Sequence, residues 1–535
     1  MQTSESIAPS ASEPKPELAP ASRVTFPLSR SRATLLALAC GVLYFLAFPG
    51  IDLWPFGLVA LVPLRIALIG QTPRRAAFLG WVSGMTMVTL GFYWMLDMLQ
   101  AFSGFSTPIC VFFVLVVNAF TGGRMALFAW LFVRGERNGW PSGPWFLLAF
   151  VASELTFPVL FFWSFGGVAH PATLLTQVAE LGGVYLVGLV FLAFNWAVSE
   201  ALLARWRGER LAWRPLLPYA LAPLLAAIYG AVRIRQVDAR AAAAPRGEIG
   251  VVQANMGLME KRQAYELGLL KHVEHTAALQ AEKPLDFVLW SETSVMHALP
   301  AEDAASVLPR YFTRRLGVPT VFGAVLFDRV NDARQRAFYN SVLLTDAKGE
   351  IRGRYDKQEL VPFSEHMPFG EDFPVLFEIS PNSSNFRRGA KAEPLVLGEH
   401  RIAAMVCNDD VSPSLGNRLL ADPETDLLVN LTNDAWFGDT TEPWIHLHLA
   451  KFRAIEHRRY FVRATNSGVS AFIDPVGRVL AQTKTFTEET LRHEVRWLKG
   501  RTVYEWTGDW LYWLGTLMVF VGAFLKRSRL APRIS

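Results

Sequence analysis

Three residues that could act together in catalysis stand close to predicted strands in the middle of the chain. Glu292 and Cys407 each end an apolar, strand-like run, and Lys357 follows a predicted hairpin that turns at Lys348-Gly349. In α/β enzymes the loops at strand ends converge on one crevice, where reactive groups collect. A carboxylate can accept the proton of a thiol, and an ammonium can stabilise both a thiolate and an oxyanion. The set therefore predicts nucleophilic cysteine chemistry, although each residue alone also fits a structural role.

The region that holds these residues, 246–500, has the pattern of a soluble domain. Short apolar strands alternate with helices predicted at 260–281 and 443–459, which is typical of a layered α/β domain with buried strands. No GxGxxG or GxxxxGKS/T motif is present, so we expect no nucleotide cofactor. The three cysteines form no CxxC pair. His446 and His448 lie on different faces of a predicted helix, so we expect no metal site.

The rest of the chain has the composition of a membrane protein. Of 535 residues, 51% are hydrophobic and only 19% are charged, whereas soluble domains carry about 25% charged residues. A membrane-spanning helix needs about 20 apolar residues. We therefore predict about eight spans, at 33–49, 55–70, 76–98, 108–133, 144–166, 174–202, 214–233 and 508–526.

The basic residues between these spans predict the orientation. They gather before the first span, in every second loop and after the last span, while the loops near 50–54, 99–107 and 166–173 contain no Lys or Arg. Because basic loops stay in the cytoplasm, both termini are expected there. The insert 234–507 then faces the opposite side, the periplasm of a Gram-negative cell. The net charge of +5 lies mainly at span ends and does not indicate nucleic-acid binding.

The expected organisation follows from these boundaries. A Ser-, Pro- and Ala-rich tail at 1–32 is predicted to be disordered. A transmembrane domain of about seven helices occupies 33–233, the periplasmic domain 234–507, the last transmembrane helix 508–526, and a cytoplasmic tail 527–535. We expect a multi-pass protein of the inner membrane that acts as a monomer.

The motifs around the three reactive residues resemble the nitrilase superfamily. Glu292 in Trp-Ser-Glu-Thr, Lys357 in Tyr-Asp-Lys and Cys407 after an apolar strand are similar to its Glu–Lys–Cys triad. Two further segments resemble the apolipoprotein N-acyltransferase family in particular: Leu431-Thr-Asn-Asp-Ala-Trp-Phe-Gly438 and Arg463-Ala-Thr-Asn-Ser-Gly468. With the predicted helix layout, the resemblance covers about 33–526.

This resemblance implies a four-layer αββα domain and an acyl transfer through a thioester. Cys407 would take an acyl chain from a phospholipid, with phosphatidylethanolamine as the expected donor. The α-amino group of the diacylglyceryl-modified N-terminal cysteine of an apolipoprotein would accept the chain. Glu292 would be the general base and Lys357 would stabilise the oxyanion. No cofactor is implied.

The resemblance also assigns expected roles to residues around the triad. The backbone N–H of Asn408 would be a second oxyanion donor, and Glu365 would orient the site. Trp436 and Phe437 would line the substrate mouth, although core packing explains them equally well.

The chain departs from the family pattern at the nucleophile. Where the family usually has Cys-Tyr-Glu, this chain has Cys407-Asn408-Asp409, so Asp409 could replace the family's carboxylate with a shorter reach. The usual Pro-Phe-Gly-Glu is Pro362-Phe-Ser-Glu365. We expect the pair Asp409-Asp410 to be solvated, as strand-end carboxylates usually are.

Four alternatives remain open at the level of sequence. The first is a paralogous acyltransferase with a different acceptor, which the departures at Asn408 and Asp409 favour. A membrane-anchored amidase would resolve the thioester with water, and a scaffold would bind lipoproteins without turnover. A transporter is disfavoured because no inverted repeat is visible.

Overall fold

The chain forms a bundle of apolar helices joined to a two-sheet α/β domain in the computed structural model. The structure describes residues 26–329, 337–370, 372–373, 375–376 and 384–526. Most of the predicted disordered tail and the whole of 527–535 lie outside the described residues. The predictions for these tails therefore stay predictions.

The first part of the chain is helical. The helices are α1 (Arg30–Ala47), α2 (Val62–Ala67), α3 (Pro73–Gly91), α4 (Met95–Ser103), α5 (Thr107–Arg137), α6 (Ser142–Thr156), α7 (Thr173–Thr176), α8 (Ala179–Arg207) and α9 (Trp213–Ala243).

Within the described residues, four of these helices are long and apolar enough to cross a membrane: α1, α5, α8 and α9. The pair α3 and α4 would make a fifth span, bent by 62° at the break between them. These helices support a membrane domain, but the predicted count of eight spans is not confirmed.

Prolines explain two of the differences between predicted and observed helices. The predicted span 55–70 is broken into a 3₁₀ turn, Trp54–Leu58, and α2. Pro55 and Pro63 each lie at the start of one of these pieces, where the missing N–H is tolerated. The predicted span 144–166 ends early, at Thr156, since the residue before Pro158 is pushed into an extended conformation.

The α/β domain begins directly after α9 with a strand. Its strands are β1 (Arg246–Gln253), β2 (Phe287–Leu289), β3 (Val295–Pro300), β4 (Thr320–Phe327), β5 (Phe338–Thr345), β6 (Ile351–Asp356), β7 (Leu395–Leu397), β8 (His400–Val406), β9 (Thr425–Thr432), β10 (Tyr460–Thr465), β11 (Ala471–Ile473), β12 (Val479–Gln482) and β13 (Glu489–Arg496). Its helices are α10 (Leu258–Gln263), α11 (Tyr265–Glu282), α12 (Ala304–Tyr311), α13 (Pro413–Leu419), α14 (Glu442–Ala450), α15 (Phe452–His457) and α16 (Val503–Thr507), and α17 (Trp510–Phe524) follows the domain.

The strands form two sheets that pack face to face. One sheet has the order β13-β1-β2-β4-β5-β6, with β3 paired to β4, and the other has the order β12-β11-β10-β9-β8-β7. Apolar side chains of both sheets, among them Val251, Val342, Ala404 and Val429, share one buried core. A second core fills the space between the first sheet and helices α11 and α12. The result is the layered arrangement that the sequence predicted.

The α/β domain is fixed to the helical bundle by a buried arginine. Arg458, which follows α15 with a left-handed φ of 53°, donates from Nε to Glu180 Oε2 at 2.9 Å and from Nη1 to Gln177 Oε1 at 2.6 Å. Nearby, Glu456 Oε1 accepts the backbone N–H of Val184 at 2.8 Å. These contacts join α15 and the segment between it and β10 to the helices.

Candidate active site

Glu292 is held in place by a close crossing of two backbones. It follows β2, and its carboxylate is 7% exposed. A Cβ at Gly323 of the neighbouring β4 would lie 2.3 Å from the backbone nitrogen of Thr293. Only glycine allows β4 to pass this close, so Gly323 fixes the path of the segment that carries Glu292.

Cys407 occupies the turn directly after β8. It has a left-handed φ of 50° and begins a 3₁₀ turn, Cys407–Val411. Such a conformation is unfavourable for a residue with a Cβ and persists only where the surroundings fix it. Asn430 of β9 contributes to this, since its Nδ2 donates to the Cys407 carbonyl oxygen at 3.2 Å. The nucleophile candidate is thus held on a strained turn.

Lys357 directly follows β6, and its ammonium lies near the carboxylates of Glu292 and Glu365. Its side chain is 1% exposed. Nζ donates to Glu365 Oε1 at 2.8 Å and lies 3.9 Å from Glu292 Oε1. Glu365 is itself held by the backbone N–H of Val361, which donates to Oε2 at 3.0 Å. The structure therefore brings together Glu292, Lys357 and Glu365, three of the residues that the sequence analysis named for the site.

Asn340 is a member of the site that the sequence analysis missed. This residue of β5 donates from Nδ2 to Glu292 Oε1 at 2.6 Å, and the same Nδ2 lies 3.4 Å from Glu365 Oε1. Its carbonyl oxygen accepts the backbone N–H of Lys357 at 2.9 Å. The signal in the sequence was an amide inside a buried strand. Glu292, Lys357, Glu365 and Asn340 are called the active-site cluster below.

A second missed residue is the buried Lys261 of α10. Its Nζ donates to the backbone oxygen of Glu292 at 2.5 Å. Burial lowers the pKa of Lys261 to about 8, although the charge of Glu292 opposes this shift. Lys261 therefore supports the Glu292 segment from the side away from the sheet.

The protonation states of the site follow from burial and charge. Burial raises the pKa of Glu292, and it raises the pKa of the Cys407 thiol well above its usual value. Burial alone would lower the pKa of Lys357. The negative charges of an ionised Cys407 sulfur, of Glu365 and of Glu292 outweigh this effect and raise the Lys357 pKa. The resting site thus combines a neutral thiol with a charged ammonium and a carboxylate of increased basicity.

A cavity of about 340 Å³ opens in front of this cluster. Glu292, Lys357, Glu365 and Cys407 line one end of it. The other walls are apolar side chains from α4, α5 and the loop before α7, among them Met95, Met98, Leu99, Phe113, Val114 and Phe161. A space of this kind suits a long hydrocarbon chain that ends at Cys407.

Trp436 and Phe437 also line this cavity. They belong to a 3₁₀ turn, Asp434–Phe437, that follows β9. The Phe437 ring packs edge-on against Trp94 of the helical bundle, with centroids 5.3 Å apart. This residue therefore both lines the cavity and joins the two parts of the chain.

Asp409 is buried rather than solvated, so that expectation was wrong. Its side chain accepts hydrogen bonds from the Tyr355 hydroxyl at 2.8 Å and from the backbone N–H groups of Val406 at 3.0 Å and Glu359 at 2.7 Å. Burial nevertheless raises the pKa of Asp409 to about 7. Asp409 ties the Cys407 turn to the loop after β6. Asn408, beside it, is half-buried.

Asp410 is also fully buried, within a set of paired charges. His446 Nε2 lies 2.9 Å from Asp410 Oδ1, and His446 Nδ1 lies 3.2 Å from Asp434 Oδ1. Arg463 forms a short ion pair with Asp410 and has Nη2 3.8 Å from Asp434 Oδ2. These four residues, Asp410, Asp434, His446 and Arg463, are called the paired cluster below. The Asp409-Asp410 pair would be solvated only on an exposed turn, but α14 covers the turn Cys407–Val411 that carries it.

One group of residues in the described part of the chain has metal-ligand types at short range. Candidate ligand atoms of Asp52, His170 and His448 lie within 4.8 Å of one another. His170 Nε2 is 2.6 Å from Asp52 Oδ1, and the rings of His170 and His448 are stacked, with centroids 3.9 Å apart and planes at 17°. A metal lies in the plane of each imidazole that binds it, and stacked rings do not share such a point. The geometry therefore favours a stacked histidine pair at the junction of the two parts.

Comparison with known proteins gives matches over both parts of the chain. Residues 40–197 match the family model "Apolipoprotein N-acyltransferase N-terminal domain", and residues 248–498 match the model "Carbon-nitrogen hydrolase". An apolipoprotein N-acyltransferase of Azotobacter vinelandii is 33% identical over 92% of this chain and 95% of its own length. That of Ralstonia nicotianae is 31% identical over 94% of this chain and 95% of its own. A solved nitrilase-superfamily protein from Saccharomyces cerevisiae covers 47% of this chain and 90% of its own, with 15% identity and a TM-score of 0.37.

The two-sheet domain and the apolar helices define a membrane protein with a carbon–nitrogen hydrolase domain. Both parts of the chain are matched together, at 33% identity and nearly full length, by one kind of relative. The chain belongs to the apolipoprotein N-acyltransferase family.

Proposed function

We propose that this protein is a membrane acyltransferase that moves an acyl chain from a phospholipid to the α-amino group of the lipid-modified N-terminal cysteine of apolipoproteins. The observation that carries the proposal is the meeting of Cys407 and the active-site cluster with a cavity of about 340 Å³ whose other walls are apolar. The family membership supports the same activity, since the relatives from Azotobacter vinelandii and Ralstonia nicotianae are both apolipoprotein N-acyltransferases.

The first half-reaction makes a thioester on Cys407. Its Sγ attacks the ester carbonyl of the phospholipid while Glu292 takes the thiol proton. Lys357 and the backbone N–H of Asn408 stabilise the oxyanion that forms. When the tetrahedral intermediate collapses, Glu292 returns the proton to the departing lysophospholipid hydroxyl, and the acyl chain stays on sulfur.

The second half-reaction releases the chain to an amine. The α-amino nitrogen of the acceptor attacks the thioester carbonyl, and Glu292 takes a proton from it. The same two donors stabilise the second oxyanion. Collapse breaks the C–S bond, and the proton returns to the Cys407 sulfur. Atoms and charge balance without a cofactor.

Glu365, Asp409 and the aromatic pair have supporting roles in this scheme. Glu365 orients the Lys357 ammonium through the 2.8 Å hydrogen bond, and Asp409 holds the turn that carries Cys407. Trp436 and Phe437 guide the acyl chain at the mouth of the cavity.

Both substrates are anchored in lipid, which supports the placing of the site. The cavity walls come partly from helices of the apolar bundle, so a phospholipid chain can reach Cys407 without leaving an apolar environment. We infer that phosphatidylethanolamine is the donor, that the α/β domain faces the periplasm with both termini in the cytoplasm, and that the protein works as a monomer.

The test is transfer in a defined system. The purified full-length protein is incubated with phosphatidylethanolamine vesicles and a diacylglyceryl lipopeptide, and the lipopeptide is analysed by mass spectrometry. The proposal predicts one added acyl chain on the α-amino group, and no product from a lipopeptide whose amine is acetylated. Release of free fatty acid without any acylated peptide would favour the amidase-like alternative, in which water resolves the thioester.

A further inference from the structure

Cys407 borders a second, smaller cavity behind the one that suits the acyl chain. This cavity has about 50 Å³, which is space for a few water-sized groups, since one water needs roughly 10–15 Å³ of such space. Cys407 and Asn408 line one side, and Glu442 and His446 line another. Most of the remaining wall is aromatic, including Phe48, Phe92, Trp94 and Trp163.

Glu442 is an unusual component of this wall. It is the first residue of α14, its side chain is only 7% exposed, and its Oε2 has no hydrogen-bond partner among the described residues. In the described part of the chain no cation lies within salt-bridge distance of its carboxylate. A buried carboxylate in this state costs several kcal/mol unless a cation compensates it. Burial, and next the charge of Asp434, raise the pKa of Glu442 well above its usual value.

The neighbouring charges do not supply that cation. His446 and Arg463 are paired with Asp410 and Asp434, so the paired cluster has two positive and two negative groups and is neutral by itself. Glu442 is the fifth ionisable group at this place. On the other side of the aromatic wall, Arg124 lies over the Trp163 ring at 3.9 Å, with Glu154 3.8 Å away. The charge of Arg124 is therefore balanced by Glu154.

An aromatic wall with one buried, unpartnered carboxyl group recognises a particular class of ligand, because a bound cation stabilises the ionised form of that group. Aromatic faces attract organic cations, and the attraction is strongest where water is excluded. A carboxylate beside them adds a charge-assisted hydrogen bond to an N–H donor. The volume is sufficient for a primary ammonium group. We propose that this cavity binds a primary ammonium group of a substrate through Glu442, directly beside the reacting sulfur.

Two substrates of the proposed reaction carry such a group, and this inference rests on that proposed function. The acceptor presents an α-ammonium, whose pKa of about 8 leaves it mostly protonated at neutral pH. It passes one proton to the Glu442 carboxylate before the neutral amine attacks the thioester, and Glu292 takes the second proton as the amide forms. Phosphatidylethanolamine presents the ammonium of its head group. The cavity would recognise both ammonium groups in the same way. Measuring the two half-reactions separately therefore tells which of the two substrates it binds.

The test compares Glu442→Gln with Asp439→Asn in the full-length protein. Asp439 is an exposed carboxylate three residues away that accepts a hydrogen bond from Thr485, so its variant controls for loss of charge on the same segment. Acyl-enzyme formation is followed by intact mass with phosphatidylethanolamine and with phosphatidylglycerol vesicles. Transfer is followed separately by adding the lipopeptide to preformed acyl-enzyme.

The proposal predicts that Glu442→Gln slows one half-reaction at least about 30-fold, as loss of one partner of a buried charge pair does, while Asp439→Asn stays near wild type. Slow transfer after normal acylation identifies the acceptor ammonium. Slow acylation by phosphatidylethanolamine, with phosphatidylglycerol unchanged, identifies the donor head group. Normal rates in both steps, or equal slowing with both phospholipids, would overturn the proposal.

A measurement on the wild type keeps the test independent of how the variant folds. Iodoacetamide alkylates Cys407, and ethylammonium chloride is added as the probe, with sodium chloride at equal ionic strength as the control. Ethylammonium is predicted to slow alkylation in a saturable way. Equal rates with both salts would contradict the ammonium site. If the wild type forms no acyl-enzyme with either phospholipid, the proposed function fails, and this alkylation result still decides on the cavity.

Discussion

Two buried charge clusters lie near Cys407, and they differ in whether their negative and positive groups are equal in number. The active-site cluster has two carboxylates and one ammonium within 4 Å, and it opens into the cavity of about 340 Å³. The paired cluster has two carboxylates and two cations, and its members are buried. An incomplete set of charges beside a cavity can accept a proton or stabilise a developing charge. A complete set in the interior holds the backbone in place. The difference supports the proposal that the first cluster carries the chemistry and the second positions the backbone.

The largest expected effect breaks the active-site cluster at Glu292. Glu292→Gln removes the proton acceptor, so acyl-enzyme formation is expected to fall about 10²–10⁴-fold. Because burial raises the Glu292 pKa and only the ionised form accepts a proton, the wild-type rate rises with pH through a value above that of an ordinary glutamate. Single-turnover acylation between pH 4 and pH 9 measures both effects. Glu393→Gln, at an exposed residue, is the control, and a variant rate near wild type would contradict the assignment.

The second prediction breaks the paired cluster and changes stability instead. His446→Gln leaves one buried carboxylate under-compensated, which is expected to cost about 3–5 kcal/mol of unfolding free energy. Burial lowers the His446 pKa, but Asp410 and Asp434 outweigh it and raise it to about 10. The imidazolium therefore stabilises the fold fully below about pH 6.5, and this contribution is lost as pH rises through about 10.

The midpoint of thermal unfolding, followed by tryptophan fluorescence from pH 6 to pH 10, checks this prediction. The wild-type midpoint is expected to fall across that range more steeply than the midpoint of His446→Gln. Parallel curves would show that His446 is not charged in the folded protein.

The third prediction removes the ammonium of the active-site cluster. Lys357→Met keeps the length of the side chain but removes the oxyanion donor, so both half-reactions are expected to slow about 10²–10³-fold. Lys391, an exposed lysine paired only with the exposed Glu393 in the described structure, supplies the control Lys391→Met. Separate rates for acylation and transfer are measured by intact mass. Loss of one half-reaction alone would contradict a shared oxyanion site.

The smallest predicted effect concerns the amide that the sequence analysis missed. Asn340→Ala removes a hydrogen bond to an ionised group, which contributes about 1.5–3 kcal/mol and corresponds to roughly 10–100-fold in rate. Since the Asn340 amide stabilises the ionised form of Glu292, the pH profile is also expected to shift to higher pH. A slower enzyme with an unshifted profile would show that Asn340 acts only on packing.

The sequence predicted the α/β domain better than the helical part. The strand-like runs that end at Glu292 and Cys407 correspond to β2 and β8, because each is an apolar run followed by turn residues. The membrane spans were also predicted from runs of apolar residues, without the turn residues that bounded the strands. Pro55 and Pro63 indicated in the sequence that 55–70 could break, but composition alone did not show that α6 would end at Thr156.

The candidate site was predictable where a motif carried it and not where contacts did. Glu292, Lys357 and Cys407 stand in recognisable segments. Asn340 reaches Glu292 over 48 residues of chain, and His446 reaches Asp410 over 36. Such pairings depend on how strands and helices stack, which no local pattern encodes. For the same reason the burial of Asp409 and Asp410 was missed.

The most direct test of the central claim is the covalent intermediate on Cys407. The full-length wild type and Cys407→Ala are incubated with phosphatidylethanolamine vesicles, and intact mass spectrometry with peptide mapping follows. The account predicts one acyl chain on the peptide that contains Cys407, absent from the variant and lost when the diacylglyceryl lipopeptide is added. A folded wild-type protein that carries no adduct, or that carries it at another residue, would contradict the account.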